Sequence, residues 1–200
     1  MTQPLVLLDD PARGYAMTLA HGWLAPEAAD ALLAWLLAHA PFERESPVIF
    51  GRAVTVRRAS CAYGDEGLRY RYSGLRREAL RWPTELERLR DRLREELNAP
   101  FGFVLCNHYP DGDAGLGWHA DDEPDLARDA PVAALSLGAE RDFAVRLREG
   151  GPAIHSAPLP HGSLVVMSGS FQRVLHHRVP VRRRCREPRV SLTFRCMREG

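Results

Sequence analysis

The stretch Gly117-Trp118-His119-Ala120-Asp121-Asp122-Glu123 carries an imidazole and a carboxylate two residues apart. On a strand, residues two apart project to the same side, so His119 and Asp121 would converge. That pair supplies two of the three ligands of a 2-His-1-carboxylate facial triad. Such a triad holds Fe(II) on one face and leaves the other positions open for a cosubstrate and O2. The third ligand must be a distant histidine. His176 and His177, about fifty residues further on, are the candidates. Neighbours on a strand face opposite ways, so only one of them can reach a metal. An HxD triplet alone also arises as a surface histidine beside acids, or as a metal-free acid/base pair.

A second element bears on the same chemistry. Arg189-Val-Ser-Leu-Thr-Phe-Arg195 alternates strictly, with Arg189, Ser191, Thr193 and Arg195 on one side and Val190, Leu192 and Phe194 on the other. A half-buried strand with a wet polar face has this pattern. So does a strand whose polar face lines a barrel interior. In the second case two permanently charged guanidiniums stand in a confined site, suited to bidentate capture of a dicarboxylate.

The elements that must position these residues read as follows. A helix follows Pro26, with Leu32, Leu33, Trp35, Leu36 and Leu37 as a broad apolar face and Pro41 as its stop. A second starts near Pro83 and Thr84, where Leu86, Leu89, Leu93 and Leu97 make one stripe, and ends at Asn98-Ala-Pro100. Between the helices, residues 43–82 read as short strands and hairpins. From Phe101 onward the period is that of strands, broken by Gly/Pro turns, as in a sandwich or barrel. Helices first and a β-rich half second predict an α+β chain with a jelly-roll core.

Composition sets the bounds. Two hundred residues, 45% hydrophobic and 26% charged, make one globular domain. Lys plus Arg is 27, and the sequence contains no lysine at all. That excludes a Walker-type phosphate loop, a lysine Schiff base and a Ser–Lys dyad. The four cysteines, Cys61, Cys106, Cys185 and Cys196, include no CxxC pair and predict free thiols in a reducing compartment. The N-terminal apolar run Leu5 to Leu8 lacks the flanks of a signal peptide, and Ala28 to Ala40 is too short and too broken to span a bilayer. The chain is therefore expected to be cytoplasmic and without a membrane partner.

These motifs, taken in order, resemble the AlkB family of Fe(II)/2-oxoglutarate-dependent dioxygenases, and in particular the homologues that repair alkylated DNA. The resemblance runs from about residue 48 to 197. Its carriers are Tyr63 to Gly74, Asn107-His-Tyr109, His119-Ala-Asp121-Asp122-Glu123, Ser136 to Phe143, His161-Gly-Ser-Leu164, His177-Arg-Val-Pro180 and Pro188-Arg189 to Arg195. It implies a double-stranded β-helix (jelly-roll) core in a single domain, residues 1–200, with N-terminal helices. It also implies a β-hairpin nucleotide-recognition lid over residues 43–82. His119, Asp121 and His177 would be the iron ligands. His177 is preferred to His176 because the family's ligand directly precedes the segment that here reads Arg178-Val179-Pro180-Val181. Asn107, Tyr109 and Arg189 would hold the distal carboxylate of 2-oxoglutarate, with Arg195 near the end that chelates the metal.

The resemblance also implies a substrate, N-alkylated bases such as 1-methyladenine and 3-methylcytosine in DNA. Their alkyl group is oxidised and lost as an aldehyde, coupled to decarboxylation of 2-oxoglutarate. Tyr70, Tyr72 and Ser73 would line the base pocket; strand packing is the alternative for the tyrosines. Arg58, in Arg57-Arg58 where the family carries Pro-Arg, is placed with the substrate contacts. Phe50 occupies the place of an intercalating hairpin tip; an ordinary core aromatic is the other reading.

Charge patterning adds a reading of its own. Residues 110–130 hold seven acids against one Arg, an acidic mouth in which Asp122 and Glu123 could favour a cationic base. Residues 173–198 hold nine Arg against one acid, with Arg182-Arg183-Arg184 placed to meet the phosphate backbone or simply to solvate a loop. The expected partner is alkylated DNA, or RNA, met by a monomer. The alternatives are a 2-oxoglutarate dioxygenase acting on RNA, protein or a small molecule, and a non-catalytic binding module.

Overall fold

The computed structural model describes residues 3–44, 48–49, 52–53, 56–72 and 75–198, and of residues 48–49, 52–53, 71–72 and 75–77 the backbone alone. The elements run β1 (Leu5–Asp10), β2 (Tyr15–Ala20), α1 (Pro26–His39), β3 (Glu43–Arg44), β4 (Val48–Ile49), β5 (Arg52–Ala53), β6 (Ala59–Gly64), β7 (Arg69–Tyr72), β8 (Leu75–Glu78), β9 (Leu80–Arg81), α2 (Thr84–Leu97) and β10 (Phe101–Tyr109). They continue with β11 (Leu116–His119), β12 (Val132–Gly138), β13 (Arg141–Leu147), β14 (His155–Leu159), β15 (Ser163–Gly169), α3 (Phe171–Val174), β16 (Leu175–Val179) and β17 (Arg189–Cys196).

Two sheets carry the core. The larger has the order β1-β2-β15-β12-β17-β10-β6-β3, with β9 added in parallel to β6. The smaller has the order β11-β16-β13-β14. Every pairing within these two except β6 with β9 is antiparallel, and the long crossovers between the sheets are those of a jelly roll. The β4–β5 and β7–β8 hairpins stand outside both sheets. Within residues 43–82, β6 is a full member of the larger sheet, pairing with β10 from Phe103↔Gly64 to His108↔Ala59.

The chain opens on strands, not on a helix. Tyr15, Met17 and Leu19 of β2 are buried while Ala16, Thr18 and Ala20 are only partly so, and the strand pairs with β15. The expected order of helices first is corrected to a β-hairpin, then α1.

Both helices cover the outer face of the larger sheet. Ala29, Leu32 and Leu36 of α1 and Leu86, Leu89 and Leu93 of α2 pack on Cys106, Leu135, Leu192 and Phe194. Pro26 opens α1, where its missing N–H has no partner to lose. Asn98 ends α2 in the left-handed conformation, φ 47°. The inner faces of the two sheets meet in a second core containing Met17, Val132, Val165, Phe143, Val145 and Leu175. The strand β17 serves both layers. Val190, Leu192, Phe194 and Cys196 lie under the helices, and its polar side turns into the space between the sheets.

Candidate active site

A cavity opens between the sheets, lined by Asn107 and Tyr109 of β10, His119 and Asp121 at the end of β11, His177 of β16 and Arg189 of β17. Glu123, Ser191, Thr193 and Arg195 complete its polar wall.

His119 and His177 face each other across the β11–β16 pair, with ring centroids 4.2 Å apart. The alternation of β16 settles which of the doubled histidines turns inward. His177 is buried, whereas His176 sits half-buried on the opposite face. Phe143 stacks on the His177 ring at 5.1 Å. His119, Asp121 and His177 can each offer a ligand atom such that all three atoms lie within 4.8 Å of one another. They form the one such cluster among the described residues.

The convergence has a cause different from strand alternation. Strand β11 stops at His119, and Asp121 lies in the bend that follows. Three side chains from elsewhere hold that bend. The Asp121 N–H donates to Gln172 Oε1 at 2.9 Å. The Arg148 guanidinium donates to Asp122 Oδ2 at 2.6 Å and to the Gln172 carbonyl at 3.0 Å. Arg195 donates from Nη2 to Asp121 Oδ1 and lies 3.5 Å from Glu123 Oε1. Gln172 and Arg148 are site residues that sequence reading missed. Gln172 acts from α3 and Arg148 from the turn after β13, each more than 20 positions away in the chain, and no local pattern marks them. Partners that orient a metal ligand typically change affinity 10–100-fold when removed, so Gln172→Ala should weaken Mn(II) or Co(II) binding by about that factor while melting near wild type. Titration of the metal-free protein with either ion measures it.

The electrostatics follow from burial. Burial alone would raise the Asp121 carboxyl, but Arg195, His177 and His119 outweigh it and hold the group below the ordinary carboxylate range. Burial, then the nearby His119, pushes His177 down to about 3, against the opposing pull of Asp121. The imidazole is therefore neutral, as a metal ligand must be. Glu123 is pushed up, by burial first and by Asp121, with Arg195 opposing. The sign for stability is set by His177. Between the unfolded value and about 3 the unfolded chain binds a proton that the native state does not, so stability falls with pH below 6.5. At pH 5 the metal-free protein should have lost about 2 kcal/mol from this group, measurable by urea unfolding across pH 7 to 5.

Arg189 and Tyr109 stand directly opposite in the β10–β17 register. Arg189 is 1% exposed and donates from Nε to Ser136 Oγ at 3.0 Å. Its Cζ lies 5.1 Å from the Tyr109 ring centroid. Its Nη1 is buried and has no hydrogen-bond partner, and the same holds for Asn107 Oδ1 nearby. Gly138, at φ +84°, lets β12 close on the strand, since a Cβ there would lie 2.4 Å from the carbonyl of Pro188. A second buried arginine, Arg141, donates to the Asp111, Ala114 and Pro180 carbonyls and fixes the segments around Tyr109. It lies within the Ser136 to Phe143 motif, which had no role attached to this residue.

The other expected residues fall as follows. Asp122 does not line the cavity; it faces an outer groove and is paired with Arg148. Asp111 and Asp113 lie 3.4 Å from Arg57, and Asp129 lies 2.7 Å from Arg173. The acidic mouth read from charge counting therefore shrinks, at the cavity itself, to Glu123 beside the ligand Asp121. Tyr70 is buried against Phe103 at 4.7 Å. Arg58 is buried directly before β6. Phe50, Ser73 and the Tyr72 side chain lie outside the described residues. Arg182, Arg183 and Arg184 are exposed in the loop between β16 and β17, with Arg182 held at Glu140. No described helix is long and apolar enough to cross a membrane.

Comparison with known proteins agrees with this geometry. The human protein named DNA oxidative demethylase ALKBH2 is 41% identical over 154 residues, 74% of this chain and 59% of that protein. Human alpha-ketoglutarate-dependent dioxygenase alkB homolog 3 is 34% identical over 183 residues, 87% of this chain and 63% of its own length. The chain thus spans about three fifths of these curated relatives. The solved structure described as OsALKBH1 superposes with a TM-score of 0.61 at 16% identity, covering 90% of this chain and 96% of that one, a likeness of fold. The sequence model of the 2OG-Fe(II) oxygenase superfamily matches residues 16–195. The chain belongs to that superfamily, in its AlkB branch, whose cofactors are Fe(II), 2-oxoglutarate and O2.

Proposed function

We propose that this chain oxidatively removes alkyl groups from N-alkylated bases in DNA, as part of alkylation-damage repair. The observation that carries the reading is a His-Asp-His cluster, with Asp121 and His177 buried and His119 half-buried, beside a buried arginine with an unpaired Nη1, in a chain similar to proteins named for DNA demethylation.

The residues fit the cofactors on physical grounds. Asp121 Oδ2 is buried without a hydrogen-bond partner, and two imidazoles stand beside it. That donor set suits a divalent iron. A buried guanidinium with an unused N–H calls for an anion, and a carboxylate matches its fork. His119, Asp121 and His177 would hold the iron; Arg189, Tyr109 and Asn107 would hold the distal carboxylate of 2-oxoglutarate, with Arg195 behind the ligand Asp121. Bound there, these cofactors supply the oxidising power that hydroxylates the alkyl carbon from O2, with 2-oxoglutarate leaving as succinate and CO2. The hydroxyl then loses its proton to water, the carbon departs as an aldehyde as the N–C bond breaks, and the ring nitrogen keeps the electron pair.

The protein's own part is placement. Arg195 neutralises Asp121 on the side away from His177. The apolar wall of Leu105, Phe143 and Val179 limits water around the reacting carbon. Glu123 reaches the cavity with Oε2 unpartnered. Its carboxylate can accept from an exocyclic amine and favour the cationic ring of 1-methyladenine or 3-methylcytosine over a neutral base. Tyr70, Tyr72, Ser73, Arg58 and Phe50 are assigned to the approaching nucleotide. Arg182, Arg183 and Arg184 are assigned to the phosphate backbone. The chain is proposed to act as a monomer in the cytoplasm, and the free thiols of all four cysteines suit that reducing compartment.

The test is incubation with Fe(II), 2-oxoglutarate, ascorbate and methylated DNA, RNA or peptide, following formaldehyde and succinate. The reading expects both products with methylated DNA. Succinate release that no nucleic acid stimulates would sink it.

A further inference from the structure

On the reverse side of the smaller sheet from the cavity, its edge strand β11 presents Trp118, the residue before His119. Two guanidiniums stack on that one indole. The Cζ of Arg146 on β13 lies 4.6 Å from the ring centroid, and that of Arg178 on β16 lies 4.4 Å away. The register accounts for this. Val145 pairs with His177, which faces the cavity, so Arg178, paired with Ala144, and Arg146, paired with His176, take the opposite face. Both Arg146 and Arg178 bury Nε with no hydrogen-bond partner. Neither is in an ion pair with a described residue. Arg148, two positions along the same strand direction, is already taken by Asp122.

Like charges brought together repel, and the indole quadrupole offsets only part of that cost. The arrangement holds two planar forks half-buried and in fixed orientation, without an internal anion. That is a preformed receptor for an external one, and the fork geometry matches phosphate oxygens. Its position names the partner. Trp118, on the edge strand of the smaller sheet, precedes His119 by one residue, and Arg178 follows His177 by one.

We propose that the Arg146–Trp118–Arg178 stack binds phosphodiesters of the nucleic acid beyond the nucleotide presented to the metal. It rests on the demethylase reading for the partner it serves. Trp118 orients the two cations, and they meet the phosphates. The surface is separate from the cavity, so it governs backbone affinity and not the chemical step.

The test uses the whole chain and a fluorescein-labelled, unmethylated DNA duplex, with anisotropy read across a salt series. The double variant Arg146→Ala/Arg178→Ala should bind more weakly. Its dependence of log affinity on log salt should be shallower by about 1.8, at about 0.9 for each phosphate that is no longer neutralised. Trp118→Ala should weaken binding several-fold, and Trp118→Phe should recover most of it. All variants should turn over a methylated mononucleotide, which carries no remote phosphate, like wild type. Unchanged duplex affinity and salt slope in the double variant overturn the proposal. So does binding to phosphatidylserine vesicles without binding to duplex. Failure of the demethylase reading shows separately, as absence of formaldehyde from the wild-type protein on any methylated nucleic acid, whatever the duplex titrations give.

Discussion

Asp121→Ala is expected to abolish turnover and, in the metal-free protein, to cost about 3–5 kcal/mol of stability, the range for removing one partner of a buried ion pair. The activity loss follows from losing one ligand of three. The stability loss follows from Arg195. Its side chain is 6% exposed, paired with Asp121 and more loosely with Glu123, so alanine at 121 leaves a guanidinium in the interior facing a partial partner. Asp121→Asn separates the two effects. It keeps the shape and an oxygen for Arg195, so it should melt several degrees above Asp121→Ala while remaining inactive. Equal melting of the two variants would show that Arg195 relaxes to water and that the pair is not structural. Chemical denaturation of metal-free protein, with iron affinity measured alongside, gives the comparison.

This coupling between a ligand and the residue behind it shows where sequence could and could not reach. The alternation of Arg189 to Arg195 was legible because a period of two needs no partner to be seen. What it left open was whether the polar side met water or an interior. Both sides of β17 are buried, because helices cover one and the second sheet covers the other, and only the fold decides that. His119 and Asp121 were legible as a pair for a reason that turned out incomplete. The strand ends at His119, and the carboxylate is turned in by Gln172, Arg148 and Arg195, at separations of 26 to 74 residues. Counting charges along the chain overstated the acidity at the mouth for the same reason. Asp111, Asp113, Asp122 and Asp129 each meet an arginine that lies far off in sequence. The strand β2 carried a readable Tyr15-Met17-Leu19 alternation, but six residues of it, directly before a stronger helix signal, did not stand out.

Arg189→Met is expected to raise the 2-oxoglutarate concentration needed for half-maximal turnover by about 30-fold or more, since losing one partner of a buried, hydrogen-bonded charge pair costs about 2–5 kcal/mol. The same substitution should leave the cofactor-free protein as stable as wild type, or more stable. Burial pulls the Arg189 guanidinium down from its ordinary value, ahead of the compensating effect of Tyr109, which means the charge is held there at a cost. Methionine fills a similar volume and removes that cost, at the loss of the donors to the Ser136 and Tyr109 hydroxyls. Opposite signs in two measurements make the prediction sharp. Wild type should gain about 2.7 kcal/mol from 2-oxoglutarate at a hundred times its dissociation constant, and Arg189→Met almost nothing at the same concentration. An arginine that merely braced β17 against β12 would give the reverse pattern, a lower melting temperature without ligand and an undiminished shift with it.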